Sequence, residues 1–555
     1  MNSENQLVFA ALGGLGEIGM NCALYGLGPA HRRSWLMVDL GVAFAGEDLP
    51  GVDLILPEIA FIEKVKRDLA GIVITHAHED HIGALIDLWP RLGARVYATR
   101  FAASLLEARR LSEPGAPDIP IDIVEQGGRV AIGPFNVEFI AMAHSIPESC
   151  AVAIRTQAGL VVHTGDWKID PTPLVGAPTD EARFTQLGDE GVLALVCDST
   201  NVIREGESPS EADVAKSLAD LITRARGRVI VTAFASNVAR LRAAAEAGRA
   251  SGRQVMLLGR AMERVVAVAR ECGYLDGVPA FAGSDGFDRL PREKILALAT
   301  GSQGEPRAAM ARMAEDDHPV VSLAPGDMAI FSSRSIPGNE KAVSKVVNGL
   351  IAQGVEVVTD RTNLVHVSGH PRRAELTRLY AWTRPRIVVP AHGEALHLAE
   401  HAAFARAQGI GEVVLARNGD LVQLGADDAR IVGAIEMGRL YKDGAIVLAP
   451  DDQCILERRR LSFAGIVSIA LAVSSKGELA GDPDVMISGL PKKARHGAGV
   501  DEIIDAAIFE TFDNLPRPKR RDPDALSGAV ERAVRNAVNS AWGKKPNVHV
   551  LVVEV

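Results

Sequence analysis

The amino-acid sequence predicts a large α/β protein of several domains whose first part is rich in strands. Three observations support this prediction. The chain has 555 residues, whereas a single domain typically takes about 150. Short apolar runs bounded by glycine-rich turns give way further along to alternating strand-like and helix-like segments. Finally, the segment His76-Ala-His78-Glu-Asp80-His81 places four metal-ligating side chains directly after the pattern of a buried strand.

Composition and charge narrow the class of protein. Hydrophobic residues make up 47% of the chain and charged residues 23%, which is typical of a soluble globular protein with large cores. The five cysteines are scattered, which favours a reducing compartment without a disulfide framework. We find no secretory-signal pattern and no apolar run of about 20 residues, so we expect a cytoplasmic protein without a membrane partner. The net charge of −10 gives no global support for nucleic-acid binding but allows a local basic channel.

The first 200 residues predict mostly short strands. Polar residues follow several of these strands, and functional sites commonly form at strand ends. The predicted strands cover residues 7–12, 35–40, 71–75, 95–98, 137–142, 152–155, 160–163 and 193–197.

From about residue 211 the pattern changes to alternating strands and helices, as in a parallel sheet with crossover helices. Site-like residues return at 366–394, so we expect the chain to leave the first domain, build a second one and come back. The predicted strands are 228–233, 254–258, 295–300, 320–323 and 355–358, with helices at 238–249 and 261–271. The predicted domains are 1–208 with 363–427, an insertion at 209–362, a linker at 428–460 and a C-terminal domain at 461–555.

The C-terminal segment predicts strands, helices at 501–510 and 524–542, and a closing strand at 548–555. On the second helix Leu526, Val530, Val534 and Val538 recur every four residues, which indicates one packing face. The basic run at 517–521 is interpreted as a solvated linker because prolines and a domain joint lie close by.

The glycines near the N-terminus imitate a dinucleotide-binding fingerprint. Gly14-Leu-Gly16-Glu-Ile-Gly19 follows a strand pattern, and Asp39 ends the next strand. The fingerprint requires a helix directly after the glycines, but residues 21–29 contain two glycines and a proline. We therefore reject it and expect two antiparallel strands, with the glycines forming a tight turn beside the site.

The histidine-rich segment predicts a metal centre. A strand ending in this loop can direct alternate side chains at two adjacent points, which suits a pair of metal ions better than one closed structural zinc site. A histidine-rich surface loop is the alternative, but three of the chain's 14 histidines fall within these six residues. Further candidates follow strand patterns at His144, Asp166 and His392. Together these residues supply ligands for two metals, with one carboxylate left to form a bridge.

At this point the sequence resembles the metallo-β-lactamase superfamily and, within it, the β-CASP nucleases. Three phrases are similar to the bacterial ribonuclease J family in particular: residues 12–19, Gly301-Ser-Gln-Gly-Glu-Pro306 and His366-Val-Ser-Gly-His370. The residues that match the motifs of the superfamily or of the β-CASP group are Asp39, His76, His78, Asp80, His81, His144, Asp166, Asp198, His370 and His392.

The resemblance implies a fold and a metal centre. The expected fold is a metallo-β-lactamase αββα sandwich with an inserted parallel-sheet β-CASP domain and a small α+β C-terminal domain. Two Zn2+ ions per subunit are expected, with Mn2+ or Mg2+ as alternative ions. His76, His78 and His144 would hold one ion, Asp80, His81 and His392 the other, and Asp166 would bridge them, while Asp39 supports the cluster from behind.

The resemblance also implies catalytic roles. Two close metal ions can share a hydroxide and clamp a phosphodiester in line for attack. His370, oriented by Asp198, is the expected proton donor to the leaving 3′ oxygen, and Asp80 is counted among the catalytic residues as well as the ligands. Alternatively, Asp198 only caps the turn at Ser199 and Thr200.

The family degrades RNA from the 5′ end, prefers a 5′-monophosphate and also cuts internally, in RNA decay and maturation. We therefore expect single-stranded RNA as the partner, in a homodimer or homotetramer with a place in an RNA-decay assembly. Gly301, Ser302, His366, Ser368 and Gly369 are the predicted 5′-phosphate pocket, because such a segment can turn several N–H groups toward one phosphate. The alternative is a glycine-rich turn that only joins a strand to a helix.

Three rival functions are considered, of which the first two use the same metal motif. The first is hydrolysis of small esters, thioesters or lactones, which does not need the inserted domain. The second is a β-CASP nuclease directed at DNA, a class that usually departs from the pattern at His392. The third is a catalytically silent scaffold of an RNA-degrading assembly. Such a scaffold would have lost metal-ligand residues from the motif, and this sequence has lost none.

Overall fold

The computed structural model describes residues 6–46, 48–284, 287, 289–336, 338–425 and 429–555. The chain divides into two compact units, one formed by Met1–Ala43 with Ile55–Arg439 and the other by Phe44–Leu54 with Leu440–Val555. Among the described residues, no helix combines the length and the apolar character needed to cross a membrane.

The larger unit contains most of the strands and helices. Its strands are β1 (Leu7–Gly13), β2 (Leu15–Gly16), β3 (Cys22–Leu27), β4 (Ser34–Val38), β5 (Ala43–Phe44), β6 (Leu54–Pro57), β7 (Leu69–Val73), β8 (Val96–Ala98), β9 (Ile121–Ile123), β10 (Arg129–Ile132), β11 (Phe135–Ala141), β12 (Cys150–Thr156), β13 (Gly159–His163), β14 (Val192–Asp198), β15 (Val229–Thr232), β16 (Gln254–Leu258), β17 (Ile295–Ala299), β18 (Met328–Phe331), β19 (Glu356–Val358), β20 (Ile387–Ala391), β21 (Gly393–Glu394), β22 (Glu412–Val413), β23 (Asp420–Gln423) and β24 (Arg430–Ala434). Its α-helices are α1 (Ala60–Lys64), α2 (Glu79–Ile82), α3 (Leu85–Leu92), α4 (Arg100–Arg110), α5 (Glu181–Glu190), α6 (Glu211–Arg224), α7 (Val238–Ala250), α8 (Arg260–Glu271), α9 (Ala309–Ala314), α10 (Glu340–Ala352), α11 (Arg373–Thr383) and α12 (Ala395–Ala407).

Two sheets packed face to face form the first layer pair. The eight-stranded sheet runs β24-β23-β1-β3-β4-β7-β8-β9 and the seven-stranded sheet runs β10-β11-β12-β13-β14-β20-β22. Phe9 and Tyr25 of the first sheet share a buried core with Phe139 and Val389 of the second. Helices α5 and α11 cover the outer face of the seven-stranded sheet through Phe184, among others. The strands therefore have apolar side chains on both faces and read as nearly continuous apolar runs.

The antiparallel pair predicted at the N-terminal glycines is confirmed. Strands β1 and β3 pair antiparallel, with Leu7 opposite Leu27, and no helix lies between them among the described residues. The turn between β1 and β3 also contains β2, which pairs in parallel with β21, a strand far away in the sequence. This pairing places the glycine turn beside the loop that contains His392.

The inserted segment forms a separate five-stranded parallel sheet in the order β16-β17-β15-β18-β19. The predicted strand at 320–323 is wrong, and the strand in this part of the chain is β18. Val321 and Leu323 do lie in the core of this sheet, but the N–H groups of Val320 and Val321 donate to His318 Nδ1 and not to a strand ladder. The ladder therefore begins only after the turn at Pro325 and Gly326.

The smaller unit has its own core. It contains β25 (Arg439–Asp443), β26 (Ile446–Leu448), α13 (Gln453–Ala464), β27 (Ile466–Val473), β28 (Asp484–Ser488), α14 (Val500–Asn514), α15 (Arg517–Arg520), α16 (Pro523–Trp542) and β29 (Asn547–Glu554). Its main sheet has the order β28-β27-β29, and α14 and α16 pack against it.

The structure confirms one prediction for this unit and corrects another. Leu526, Val530, Val534 and Val538 are all buried and form the predicted packing face of α16. The basic run is not a plain linker, because its first four residues form α15. Arg520 also donates to the carbonyl oxygens of Leu515 and Asp513 at the end of α14.

Candidate metal centre

The seven predicted metal ligands come together at one end of the two packed sheets. The loop after β7 and the short helix α2 supply His76 to His81, and the other three ligands follow β11, β13 and β20. Their donor atoms form two sets, and within each set all atoms lie within 4.8 Å of one another. The first set is His76, His78, His144 and Asp166, and the second is Asp80, His81, Asp166 and His392. Asp166 belongs to both sets, as expected of a bridging carboxylate.

Three imidazoles converge in the first set. His78 Nδ1 lies 3.1 Å from His76 Nε2 and 3.1 Å from His144 Nε2. Asp166 Oδ2 is 3.9 Å from His76 Nε2 and 3.8 Å from His144 Nε2. The remaining nitrogen of His144 bonds the carbonyl oxygen of Gly369 at 2.7 Å, which leaves its Nε2 free to bind a metal.

Two carboxylates and two imidazoles form the second set. His81 Nε2 lies 3.2 Å from Asp166 Oδ1 and 3.6 Å from Asp80 Oδ2. His392 Nε2 lies 3.4 Å from Asp166 Oδ2 and 3.9 Å from Asp80 Oδ2. This set therefore carries more negative charge than the first.

Asp39 supports the cluster as the sequence predicted. Its carboxylate accepts from the Thr75 N–H and hydroxyl, both at 2.8 Å, and lies 2.7 Å from His81 Nδ1. Asp39 is itself buried, so these bonds fix the ring of His81 with Nε2 directed at Asp166. A carboxylate behind a metal-binding histidine sets its tautomer and raises its basicity.

The environment keeps three ligands in the form that binds metal. Burial and then the charge of His81 hold the pKa of His76 well below its usual value. Burial also lowers the pKa of His78 to about 4, and burial together with His78 holds the pKa of His144 well below its usual value. These imidazoles are therefore neutral at physiological pH, as metal coordination requires.

The second set shows the opposite tendency. Burial acts to lower the pKa of His81, but the carboxylates of Asp166, Asp80 and Asp39 raise it well above its usual value. Asp166 Oδ1 is a buried oxygen without a well-aligned hydrogen bond from any described residue, although His81 Nε2 lies 3.2 Å away. Carboxylate charge that attracts a cation, together with exclusively nitrogen and oxygen donors, fits divalent metal ions such as zinc.

His370 lies at the edge of the cluster and bonds Asp198, as the sequence predicted. His370 Nδ1 is 2.8 Å from Asp198 Oδ2, and its ring stacks on His392 with 5.4 Å between the ring centres. Burial acts to lower the pKa of His370, but Asp198 and then Asp166 raise it to about 9. Asp198 also caps the turn, because its other oxygen accepts from the Thr200 N–H at 2.9 Å, but capping is not its only contact.

Asn21 is a residue of the cluster that the sequence did not predict. Its Oδ1 lies 2.9 Å from His392 Nδ1, and its Nδ2 donates to the Asp80 carbonyl oxygen at 3.0 Å. The same Nδ2 lies 3.1 Å from His81 Nε2. The only sequence signal for it was its position after the glycine turn, which was expected beside the site.

Two of the predicted phosphate-binding residues, Gly301 and Ser302, follow β17 at the carboxyl ends of the parallel strands of the five-stranded sheet, a region that we call the sheet edge. Ser332 and Arg334, which were not predicted, follow β18 at the same sheet edge. The third predicted residue, His366, comes after Val365, whose carbonyl oxygen accepts from the Ser332 hydroxyl. Gln303 Nε2 donates to the Arg334 carbonyl oxygen at 2.9 Å. Burial, and then Arg240 and Arg334, hold the pKa of His366 well below its usual value. Ligands commonly bind at this edge of parallel sheets.

The other two predicted pocket residues lie nearer the metal centre. The Ser368 hydroxyl accepts weakly from the His370 N–H at 3.4 Å. The carbonyl oxygen of Gly369 bonds His144, and a side chain at this position would come within 2.4 Å of the His144 ring. Only a glycine at position 369 lets the backbone pass this close to the His144 ring. A contact between the Gly369 N–H and a phosphate stays a prediction.

Comparison with known families divides the chain into four matches. Residues 19–199 match the metallo-beta-lactamase superfamily, and residues 226–350 match the ribonuclease J beta-CASP domain. Residues 354–416 match a Zn-dependent metallo-hydrolase RNA specificity domain, and residues 453–555 match the ribonuclease J C-terminal domain. These matches confirm the predicted fold class of a metallo-β-lactamase domain with a β-CASP insertion and a C-terminal domain.

Similar proteins match along the full chain. A ribonuclease J of Sinorhizobium meliloti is 52% identical over 100% of this chain and 98% of its own length. Ribonuclease J of Mycolicibacterium smegmatis is 39% identical over 98% of this chain and 97% of its own length. Ribonuclease J of Corynebacterium glutamicum is also 39% identical, over 99% of this chain and 76% of its own length.

One solved structure adds support for the fold alone. A protein of unknown function from Enterococcus faecalis superposes with a TM-score of 0.54 at 16% identity, covering 75% of this chain and 100% of that one.

Proposed function

This chain belongs to the ribonuclease J family of metal-dependent ribonucleases, and we propose that it is a zinc-dependent enzyme that hydrolyses RNA from the 5′ end. It prefers a 5′-monophosphate, also cuts internally, and acts in RNA decay and maturation. The observation that carries the proposal is the pair of donor sets that share Asp166 beside the His370–Asp198 pair.

The two donor sets would hold two Zn2+ ions, with Mn2+ or Mg2+ as alternatives. Bound there, a pair of divalent ions supplies a nucleophilic water at neutral pH and neutralises charge on the phosphodiester. Asp166 links the two sets, because its Oδ2 faces His76 and His144 of the first set and His392 of the second, while its Oδ1 faces His81. Asp39 and Asn21 hold the rings of His81 and His392 so that one nitrogen of each faces the shared carboxylate.

His370 delivers the proton to the leaving 3′ oxygen. Its Nδ1 is occupied by Asp198 at 2.8 Å, so the proton on Nε2 is the one available for transfer. The raised pKa of about 9 keeps the ring protonated at neutral pH, as a general acid requires. Asp198 is fully buried, and it therefore orients the ring without contacting the substrate.

The sheet edge would receive the 5′-monophosphate. Gly301 adopts a φ of +111°, and Ser302 is almost fully buried beside it. Backbone N–H groups in such a turn bind anions, and the buried, neutral His366 closes the same region. A pocket of fixed depth there excludes a triphosphate and sets the first cut one nucleotide from the end.

The partners follow from the same premise. Single-stranded RNA is the substrate, and the subunits associate as dimers or tetramers that can join an RNA-decay assembly. Sedimentation of the purified protein, alone and with RNA, measures the association.

One RNA in three forms tests the proposed function. Zinc-loaded protein is incubated with a 5′-monophosphate, a 5′-triphosphate and a 5′-hydroxyl form, alongside His81→Ala. Rapid release of mononucleotides from the monophosphate form, absent with His81→Ala, is the expected result. His397→Ala is the matched control, because His397 is a buried histidine outside both donor sets. Failure of the zinc-loaded protein to cut any RNA would overturn the proposal.

A further inference from the structure

Arg240 is a fully buried arginine of α7 that bonds three separate segments of the chain. Its Nη1 donates to the carbonyl oxygens of Ser332 at 3.0 Å and Val365 at 2.7 Å. It also donates to the Ser332 hydroxyl, which itself donates to the Val365 carbonyl at 2.6 Å. Its Nη2 faces the carboxylate of Glu211, with the nearer oxygen at 3.0 Å. Both charged groups of this ion pair are shielded from solvent.

The three bonded segments lie where the chain passes between two sheets. Glu211 begins α6, on the way from β14 of the seven-stranded sheet to β15 of the five-stranded sheet. Val365 lies on the return path, between β19 and β20. Ser332 directly follows β18 at the sheet edge. Arg240 therefore ties the outgoing and returning segments to the edge where the 5′-phosphate is expected.

A second buried ion pair ties the same point to the metal centre. The Glu211 N–H donates to Asp170 Oδ2 at 2.9 Å, and Lys168 Nζ lies 2.8 Å from that oxygen. The Lys168 N–H donates at 2.8 Å to the carbonyl of Ala143, the residue before a metal ligand. Lys168 and Asp170 are both buried. A continuous path of buried polar contacts thus runs from the metal-ligand loops to the sheet edge.

Stability alone is a weak reason for such a path. Removing charges from water is costly, and apolar replacements of a buried ion pair are often neutral or stabilising. Apolar side chains cannot reproduce directional bonds to three segments at once, whereas the planar guanidinium group has several donors in a fixed arrangement. The contacts of Arg240 therefore fix the relative positions of the three segments that it bonds.

The two ends of the segment from His366 to His370 are held by different groups. Val365, which Arg240 holds, is next to His366, and the buried Nδ1 of His366 has no hydrogen-bond partner among the described residues. His370 is held independently, because its carbonyl oxygen accepts from Asn201 at 3.2 Å and its ring bonds Asp198. Loosening Arg240 would therefore move the phosphate end of the segment and leave the proton donor in place.

We propose that Arg240, together with Glu211 and Ser332, is a positioning group that sets the distance between the bound RNA 5′-phosphate and the scissile phosphodiester. The inference rests on the proposed 5′-end-dependent ribonuclease activity and adds the residues that define its register. Among the described residues, the hydrogen-bond partners of the Arg240 side chain are Glu211, Ser332 and Val365, none of which is a predicted metal ligand, so Arg240 acts through the segment that it holds.

Two variants and three RNAs test this role. Arg240→Lys keeps the charge but cannot bond all three partners. Ser332→Ala removes only the hydroxyl that bridges Arg240 and Val365. This smaller change should leave the protein folded even if Arg240→Lys does not fold. The substrates are 5′-monophosphate RNA, 5′-hydroxyl RNA and circular RNA. We expect the kcat/KM ratio of monophosphate to hydroxyl RNA to fall about tenfold, as for loss of one or two hydrogen bonds. The first product should change from a mononucleotide to mixed lengths, while circular RNA is cut at the wild-type rate.

Arg253→Lys is the matched control. Arg253 is another buried arginine of the inserted segment, and it bonds the carbonyl oxygens of Gly227 and Ile295 at 2.8 and 3.1 Å. It precedes β16, at the opposite end of the parallel sheet from Arg240. This variant should lose comparable thermal stability and keep both the 5′ preference and the first-product length.

The outcomes separate the two proposals. A wild-type enzyme without 5′-monophosphate preference would overturn the proposed function, and the positioning role with it. A wild-type preference that survives in both folded variants would overturn the positioning role alone. An equal loss on all three RNAs would also overturn it, because a merely structural defect has no preference for 5′ ends.

Discussion

The metal-ligand cluster is held together mainly by contacts between side chains, whereas the sheet edge is held together mainly by contacts with the backbone. In the cluster, histidine side chains face aspartate side chains: His81 lies 3.2 Å from Asp166, and His370 lies 2.8 Å from Asp198. At the sheet edge the contacts are mainly with the backbone, such as the bonds from Gln303 to the Arg334 carbonyl and from Arg240 to the Val365 carbonyl. The first region places charges and the second places chain segments.

This difference separates chemistry from selection. A side chain removed from the cluster takes a metal ligand or a proton away from every substrate. A contact removed from the sheet edge shifts a binding position and so changes which RNA ends are preferred. Substitutions in the cluster should therefore lower all activities together, whereas those at the sheet edge should change their ratio.

The largest effect is expected from Asp166→Asn. The bridging carboxylate serves both donor sets, and metal-ion catalysis contributes several kcal/mol, so kcat/KM should fall about 10⁴-fold on every RNA. The metal content measured by mass spectrometry should fall below that of the wild type. Asp122→Asn, at an exposed carboxylate paired with Arg95, should change neither quantity. Full metal content with normal activity in Asp166→Asn would contradict the bridging role.

His370→Gln tests the chemistry of the cluster without removing a metal ligand. Loss of the proton donor should lower kcat about 10³-fold, within the range for general acids. The metal content and the ratio of monophosphate to hydroxyl cleavage should stay at wild-type values, because neither depends on this ring. An RNA whose 3′ leaving oxygen is replaced by sulfur needs no proton, so the variant should cut it nearly as fast as the wild type. An equal defect on that RNA would show that His370 does not deliver the proton.

The same contrast explains what the sequence could predict. The predicted ligands of the cluster are chemically distinctive residues at strand ends, and four of them are close neighbours in the chain, so their convergence was predictable. Asn21 was not found, because an amide in a glycine turn has no distinctive chemistry until the pairing of β2 with β21 brings it to His392. Arg240 was overlooked for a similar reason, since helical arginines are usually exposed.

The fold was predictable where the period of the pattern and the turn residues agreed. The strand at 254–258 and the face of α16 have both an apolar pattern and clear ends, and both predictions are confirmed. At 320–323 Val321 and Leu323 are buried as expected, but the N–H groups of Val320 and Val321 donate to the His318 side chain and not to a neighbouring strand. Burial alone therefore does not identify a strand when hydrogen bonding is blocked.

Asn21→Ala sharpens the description of the cluster by removing a support that is not itself a ligand. Groups that orient metal-binding side chains typically contribute about 10- to 100-fold in affinity, so zinc should bind that much more weakly. Activity should return when zinc is supplied in excess. Asn136→Ala, at an exposed position of β11, is the matched control and should bind zinc as the wild type does. A defect in Asn21→Ala that excess zinc does not correct would argue against a purely orienting role.

Gly301→Ala is the smallest change and applies the comparison to the sheet edge. The φ of +111° strains any side chain, and a Cβ there would lie 2.9 Å from Met310 Cβ and 3.0 Å from Ala308 Cβ, so the turn must shift. A strain of about 1–2 kcal/mol corresponds to a loss of about fivefold or more in monophosphate cleavage, with hydroxyl RNA cut as before.

Gly326→Ala distinguishes this displacement from strain in general. Gly326 also has a positive φ of +88°, but a Cβ there would meet nothing within 4 Å, and the residue lies at the amino end of β18. Both variants should therefore unfold at lower temperature, because both carry an unfavourable backbone conformation. Only Gly301→Ala should lose the preference for a 5′-monophosphate. Loss of the preference in both would mean that it depends on the stability of the whole parallel sheet and not on the position of one turn at its edge.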